Sequence, residues 1–244
     1  MSIHLVGGGW SQEHYRAVYG PFLEESSRLA SKHTRGPRIA VVQLYDAAAD
    51  DGRDRFAQFA AILRDLGPCR AVPVLVAEGD AVPAAAIDDL DGLLVAGGLT
   101  PAYLAAVTPV AGEIRRLVVA GLPYLGFSAG AQIAATTAII GGWRSGAVPI
   151  CDEDCGEDLD QVTTAPGLGL VDFAVDAHAA QWGTLTRAIT AVDRGDVDRA
   201  VAVDESTACI VTEHSTLTAG AGQCWWVQRT GAGVVVRADR GSPG

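Results

Sequence analysis

Short, continuously apolar runs alternate with stretches of helical spacing from the first residues of this 244-residue chain. A strand exposed on one face alternates apolar and polar residues, whereas a strand covered on both faces does not. The pattern therefore specifies a parallel sheet with helices on either side. Residues 3–6 form the first expected strand, which empties into Gly7-Gly8-Gly9. Helical spacing follows over 13–29, marked by Tyr15, Val18, Phe22 and Leu29. Residues 38–44 (RIAVVQL) read as a buried strand, and 53–66 as an amphipathic helix stopped by Gly67-Pro68. Strands are expected at 72–76, 92–96 and 124–127, with a helix over 113–120 closed by Gly121. Further on come a strand at 168–175, a helix at 184–192, and strands at 200–203 and 208–212. A hairpin over about 223–238 turns around Thr230-Gly231. The expected architecture is a three-layer α/β sandwich with a mostly parallel central sheet, in one domain over 1–244. An apolar content of 49% is enough to fill its core.

Charge narrows the function classes. With 18 basic against 29 acidic residues the net charge is −11, which repels phosphate backbones and anionic lipid surfaces. Nucleic acid and membrane are therefore not expected partners. Lys32 is the single lysine, so a Schiff-base mechanism has one candidate. Residues 1–9 lack a basic segment and a long apolar run, and no apolar stretch approaches the roughly 18 residues of a membrane span. Five cysteines, an odd number, suit reduced thiols in a cytoplasmic protein.

The segment 145–167 breaks the rhythm and reads as a long acidic surface loop, with a lid over the site as one role for it. Within it, Cys151-Asp152-Glu153-Asp154-Cys155 mixes soft and hard ligands, but zinc needs a second ligand pair and none follows at suitable spacing. A loop disulfide would require an oxidising environment, which leaves a solvated acidic loop as the leading reading. Gly7-Gly8-Gly9-Trp10 lacks the spacing and the lysine of a phosphate loop. No metal and no cofactor is expected.

The strongest chemical signal is Gly126-Phe127-Ser128-Ala129-Gly130, a Gly-x-Ser-x-Gly pattern between an expected strand and an expected helix. A nucleophile on so sharp a turn needs glycines beside it to let neighbouring backbone approach. The Ala129 N–H would be one oxyanion donor, and Gly98, in the Gly97-Gly98 turn after the adjacent strand, a second. As plain structure, Ser128 would instead be a helix N-cap. Of five histidines, His4 lies in a strand, His14 and His33 on or beyond a polar helix, and His214 in a hairpin turn. His178, in Asp176-Ala177-His178, sits at a strand's carboxyl end, where open α/β sheets place their sites. Glu205 and Asp176 are both candidates for the carboxylate that orients it.

Taken in order, the Gly97-Gly98 turn, the elbow Gly126 to Ala131, Asp176-Ala177-His178 and Val203 to Ala208 resemble the dipeptidase E and cyanophycinase family of serine peptidases. The resemblance implies a class I glutamine amidotransferase-like, flavodoxin-like fold. It also implies Ser128 as nucleophile, His178 as base and Glu205 as the orienting acid of the cyanophycinase branch. The dipeptidase E branch carries its acid where this chain has Trp143. The implied substrates are small peptides with an α- or β-linked aspartyl residue, opened through an acyl-enzyme. Thr100, Asp176 and Arg187 form the expected substrate-binding set, with Arg144 a further cation for a substrate carboxylate. Departures from the family pattern are Leu99 after the glycine pair, Ala179 after the histidine, and Trp182 and Thr184 where cyanophycinases carry arginines. Cyanophycin is not an expected substrate. Leu99 and Ala179 keep two alternatives open: a catalytically silent relative that uses the pocket for binding, and a serine hydrolase or acyltransferase on a non-peptide amide or ester. Homodimer formation is left open.

Overall fold

The computed structural model describes residues 2–30 and 36–241; Lys32 and His33 lie outside the described residues. The first half of the chain runs β1 (Ser2–Val6), α1 (Tyr15–Ala30), β2 (Arg38–Tyr45), α2 (Arg53–Leu66), β3 (Arg70–Ala77), β4 (Gly92–Val95), α3 (Thr100–Val107), α4 (Ala111–Val119) and β5 (Tyr124–Phe127). A short helix α5 (Ala129–Gln132) leads to β6 (Thr137–Gly141), β7 (Arg144–Ser145), β8 (Val148–Pro149) and β9 (Thr163–Pro166). The chain continues with β10 (Ala174–Ala177), α6 (Leu185–Arg194), β11 (Arg199–Val203), β12 (Thr207–Thr212), β13 (Thr216–Gly220), β14 (Gln223–Thr230) and β15 (Gly233–Arg240).

Seven strands form the central sheet in the order β13-β12-β1-β5-β4-β2-β3. Pairings from β1 through β5, β4 and β2 to β3 are parallel; those of β12 with β1 and β13 are antiparallel. The sheet is thus mostly parallel, as its apolar runs require. Every residue of β1, β4 and β5 is buried, which is why none of the three shows a period of two. A second sheet, β10-β11-β14-β15, packs α6 against a smaller core of Ala188, Ala191, Val192, Ala200 and Val227. The expected C-terminal hairpin is β14–β15, and it builds this second sheet rather than extending the first.

The structure corrects several local expectations. Residues 168–173 are not a strand: Leu168, Gly169 and Leu170 donate their N–H groups to the carbonyls of Ile133, Ala135 and Ala134, so this apolar run docks on the chain after the Ser128 turn. Only Ala174–Ala177 pairs as a strand. The stretch 145–167 contains β8, β9 and a helical turn at Glu153–Cys155, with β9 paired to β6 and β8 to β7. Helix α3 escapes the periodicity argument because the run TPAYLAAV has no polar face to mark it. The helix after Ser128 is a single turn, too short to gather a macrodipole, so any oxyanion stabilisation there rests on individual N–H donors.

Candidate active site

Strand β1 ends in a glycine turn whose neighbours explain it. The carbonyls of Val6, Gly7 and Gly8 accept the N–H groups of Ser128, His178 and Ser206 at 2.8, 2.9 and 2.7 Å. One short segment thus fixes the ends of β5 and β10 and the turn between β11 and β12. Gly8 has φ +97°, and a Cβ there would lie 2.1 Å from His178 Cε1. Side chains are excluded because the imidazole lies against the backbone. The glycine turn, which lacks the spacing of a phosphate loop, is a floor under the histidine.

Ser128 leaves β5 with φ 52° and ψ −112°, a left-handed position that ordinary residues avoid. The elbow closes only because Gly126 and Gly130 lack side chains: a Cβ on Gly126 would stand 2.3 Å from the Gly130 carbonyl oxygen. Ser128 Oγ lies 2.8 Å from His178 Nε2. His178 Nδ1 lies 2.7 Å from Glu205 Oε1. A carboxylate can only accept here, so Nδ1 carries the proton and Nε2 is left to accept from the serine hydroxyl. Burial pushes the His178 pKa below its ordinary value, against the opposing hydrogen bond and charge of Glu205. Trp182 stacks on the ring at 3.8 Å between centroids. Neither the Gly98 nor the Ala129 N–H is engaged by another backbone group among the described residues.

Several supporting residues carry no signal in the sequence. Asp204, buried, accepts from the Ala180 and Gln223 N–H groups and from Trp225 Nε1 at 3.0, 2.9 and 2.9 Å, tying the chain beyond His178 to β14. Gln181 Oε1 accepts the Glu205 N–H at 2.8 Å. Their partners lie far away in sequence, so only proximity in the fold identifies them.

Ser128, His178, Glu205 and Gly98 line one open cavity of about 950 Å³ at the carboxyl ends of the parallel strands, whereas Ala129 is buried and not among its lining residues. The expected substrate-binding set does not reach it. Arg187 and Asp176 are 2% and 0% exposed and form a bidentate ion pair at 2.6 and 2.8 Å, with Arg187 Nη1 also donating to the Cys155 carbonyl at 2.6 Å. Three of its five N–H donors are committed within the protein, and burial keeps the rest of the guanidinium away from the cavity. Thr100 is fully buried, with Oγ1 on Gln132 and its N–H on Glu157 Oε2 at 2.9 Å. Arg144 pairs with Asp160 and lies over the Trp143 ring at 4.8 Å. The arm 153–160, expected as solvated surface, forms one wall of the cavity together with Trp143. All five cysteines are free thiols; burial pushes Cys151 up to about 11 and raises Cys155, so neither is a ready nucleophile. No group of three or more metal-ligating side chains occurs among the described residues. Nor is any helix among them long and apolar enough to cross a membrane.

Comparison with known proteins bears on the fold and the family. The fold is similar to the crystal structure of a peptidase from an acI-B1 Actinobacterium, with TM-score 0.67, 17% identity, and 99% of this chain and 95% of the other covered. It is also similar to a putative peptidase E protein from Listeria monocytogenes EGD-e, with TM-score 0.55, 15% identity, and coverage of 91% and 98%. A search of curated proteins finds no match. The sequence matches the model of Peptidase family S51 over residues 46–218, a span that holds Ser128, His178 and Glu205. On that extent of match, the chain belongs to peptidase family S51, a family of serine peptidases.

Proposed function

We propose that this protein hydrolyses small peptides through an acyl-enzyme on Ser128. The observation that carries the reading is the continuous relay from Ser128 Oγ to His178 Nε2 to Glu205, at 2.8 and 2.7 Å, inside a single cavity. His178 Nε2 takes the hydroxyl proton as Oγ attacks the scissile carbonyl, and Glu205 stabilises the imidazolium that results. The oxyanion is received by the N–H groups of Gly98 and Ala129; each donor of this kind contributes roughly 3 kcal/mol to the transition state. The imidazolium then returns its proton to the leaving amine. Water, deprotonated by the same nitrogen, attacks the ester and releases Ser128. A depressed His178 pKa keeps the base neutral at physiological pH, the state in which it can accept.

The aspartyl preference implied by family resemblance is not part of this reading. Its receptor would have been Arg187 or Arg144, and both are committed to internal carboxylates. The test is intact mass after treatment with a fluorophosphonate probe. We expect one adduct on the wild type and none on Ser128→Ala or His178→Ala. Labelling that survives in Ser128→Ala, or a wild type that resists the probe and cleaves no dipeptide, would end the proposal.

A further inference from the structure

The cavity is strongly acidic. Its outer wall is the arm that supplies Glu153, Asp154, Glu157, Asp158 and Asp160, and Glu205 adds a sixth carboxylate. Arg55 is the one arginine among the lining residues, and it lies over Trp10 at 6.0 Å from the ring centroid. Asp160 is paired with Arg144, whereas Glu153, Asp154 and Asp158 enter no ion pair among the described residues. Three of the five tryptophans, Trp10, Trp143 and Trp182, line the same space. Carboxylates and indole faces together are the usual surroundings of a bound cation.

Glu157 has the most defined position of these groups. Its Oε2 accepts the Thr100 N–H at 2.9 Å, two residues beyond the Gly98 oxyanion donor, so the loop that receives the oxyanion also anchors this carboxylate. Thr100 holds this carboxylate through its N–H and its side chain, and Glu157 still lines the cavity. Arg55 can meet one carboxylate, such as a peptide's C-terminus. A second one, on an aspartyl side chain, would meet the acidic arm without a counter-ion.

We infer that Glu157, backed by the acidic arm, selects peptides bearing a positive charge within one residue of the scissile carbonyl, so that cationic dipeptides are preferred over aspartyl ones. The inference rests on the proposed hydrolytic site only in taking this cavity as the place where substrate binds. The cation is a lysyl or arginyl side chain.

Equilibrium binding to Ser128→Ala protein tests this without turnover. The probes are lysyl-, alanyl- and aspartyl-alanine, each free and N-acetylated. Among acetylated peptides the lysyl form should bind at least about tenfold more tightly than the aspartyl form. Adding Glu157→Gln, which keeps an acceptor for Thr100 but no charge, should shrink that gap to about threefold or less. Asp158→Asn, at an exposed position, should narrow it in the same direction. Weakening of every peptide by acetylation without a lysyl-over-aspartyl gap would mean that only the α-amine common to all dipeptides is read, and overturns the inference. Indifference to side-chain charge, or tighter binding of the aspartyl form, also overturns the inference. Fluorophosphonate labelling of the wild type reports on hydrolysis separately. A labelled enzyme without charge preference defeats only this inference, and a charge-selective protein that resists the probe and cleaves no dipeptide defeats only the hydrolytic reading.

Discussion

Ser128 and His178 share a backbone state that side chains disfavour, φ 52° and 57°, and Ser206 beside Glu205 joins them at 53°. Each such residue costs about 1–3 kcal/mol and persists only where its surroundings over-determine it. Here the surroundings are the three successive carbonyls of Val6, Gly7 and Gly8. The titration of His178 follows from its place above that turn. Its protonated form cannot accept from Ser128, so kcat/KM should rise with pH through a pKa below the ordinary histidine value and then level off. Glu205 opposes the depression, so Glu205→Gln should move the acid limb to lower pH. It should also cut kcat by roughly 10³- to 10⁴-fold, since the correct tautomer loses its acceptor. A pH–rate profile of both proteins decides this; an unmoved limb in Glu205→Gln would show that the carboxylate does not act on the ring.

At the scale of elements, the buried pair Arg187–Asp176 joins α6 to β10 and, through the Cys155 carbonyl, to the start of the acidic arm. Removing one partner leaves an uncompensated charge in an apolar site, whereas removing both does not. Arg187→Met should therefore cost about 3–5 kcal/mol in denaturant unfolding. The double variant Arg187→Met, Asp176→Leu should recover at least half of that loss. A single-variant cost below about 1 kcal/mol would mean that the pair is not desolvated as described. The sequence marks Arg187 and Asp176 as site residues because they stand near His178 along the chain. Burial reassigns them, because neighbours along a strand point to opposite faces and His178 is two positions from Asp176 only across a left-handed turn.

At the scale of the whole molecule, the relay spans two sheets. Ser128 follows β5 of the central sheet, His178 follows β10 of the second, and Glu205 lies in the turn that carries the chain from β11 in one to β12 in the other. We propose that the two sheets unfold as one unit, since neither holds the Ser128–His178–Glu205 set alone. Circular dichroism should show a single denaturant transition, with fluorophosphonate labelling lost at the same midpoint. Two separated transitions, or labelling that outlasts one of them, would divide the chain into independent units.

What the sequence determined by itself was set by local physics. Continuous apolar runs specified a parallel sheet buried on both faces, and Tyr124–Phe127 and Arg53–Leu66 emerge at the boundaries that their patterns predict. The glycines flanking Ser128 marked a turn that only a backbone without side chains can close. Ser128 and His178 are marked by the strand ends they are expected to follow, whereas Glu205 and Asp176 stay equal candidates until the family resemblance favours Glu205. What lies between distant segments was decided by tertiary structure alone. The floor of glycines under His178, the buried commitment of Arg187, and the acidic wall from residues 153–160 depend on which backbone comes to rest against which. A charge read along the chain says nothing of whether it will face water, a partner or a substrate; burial and pairing settle that.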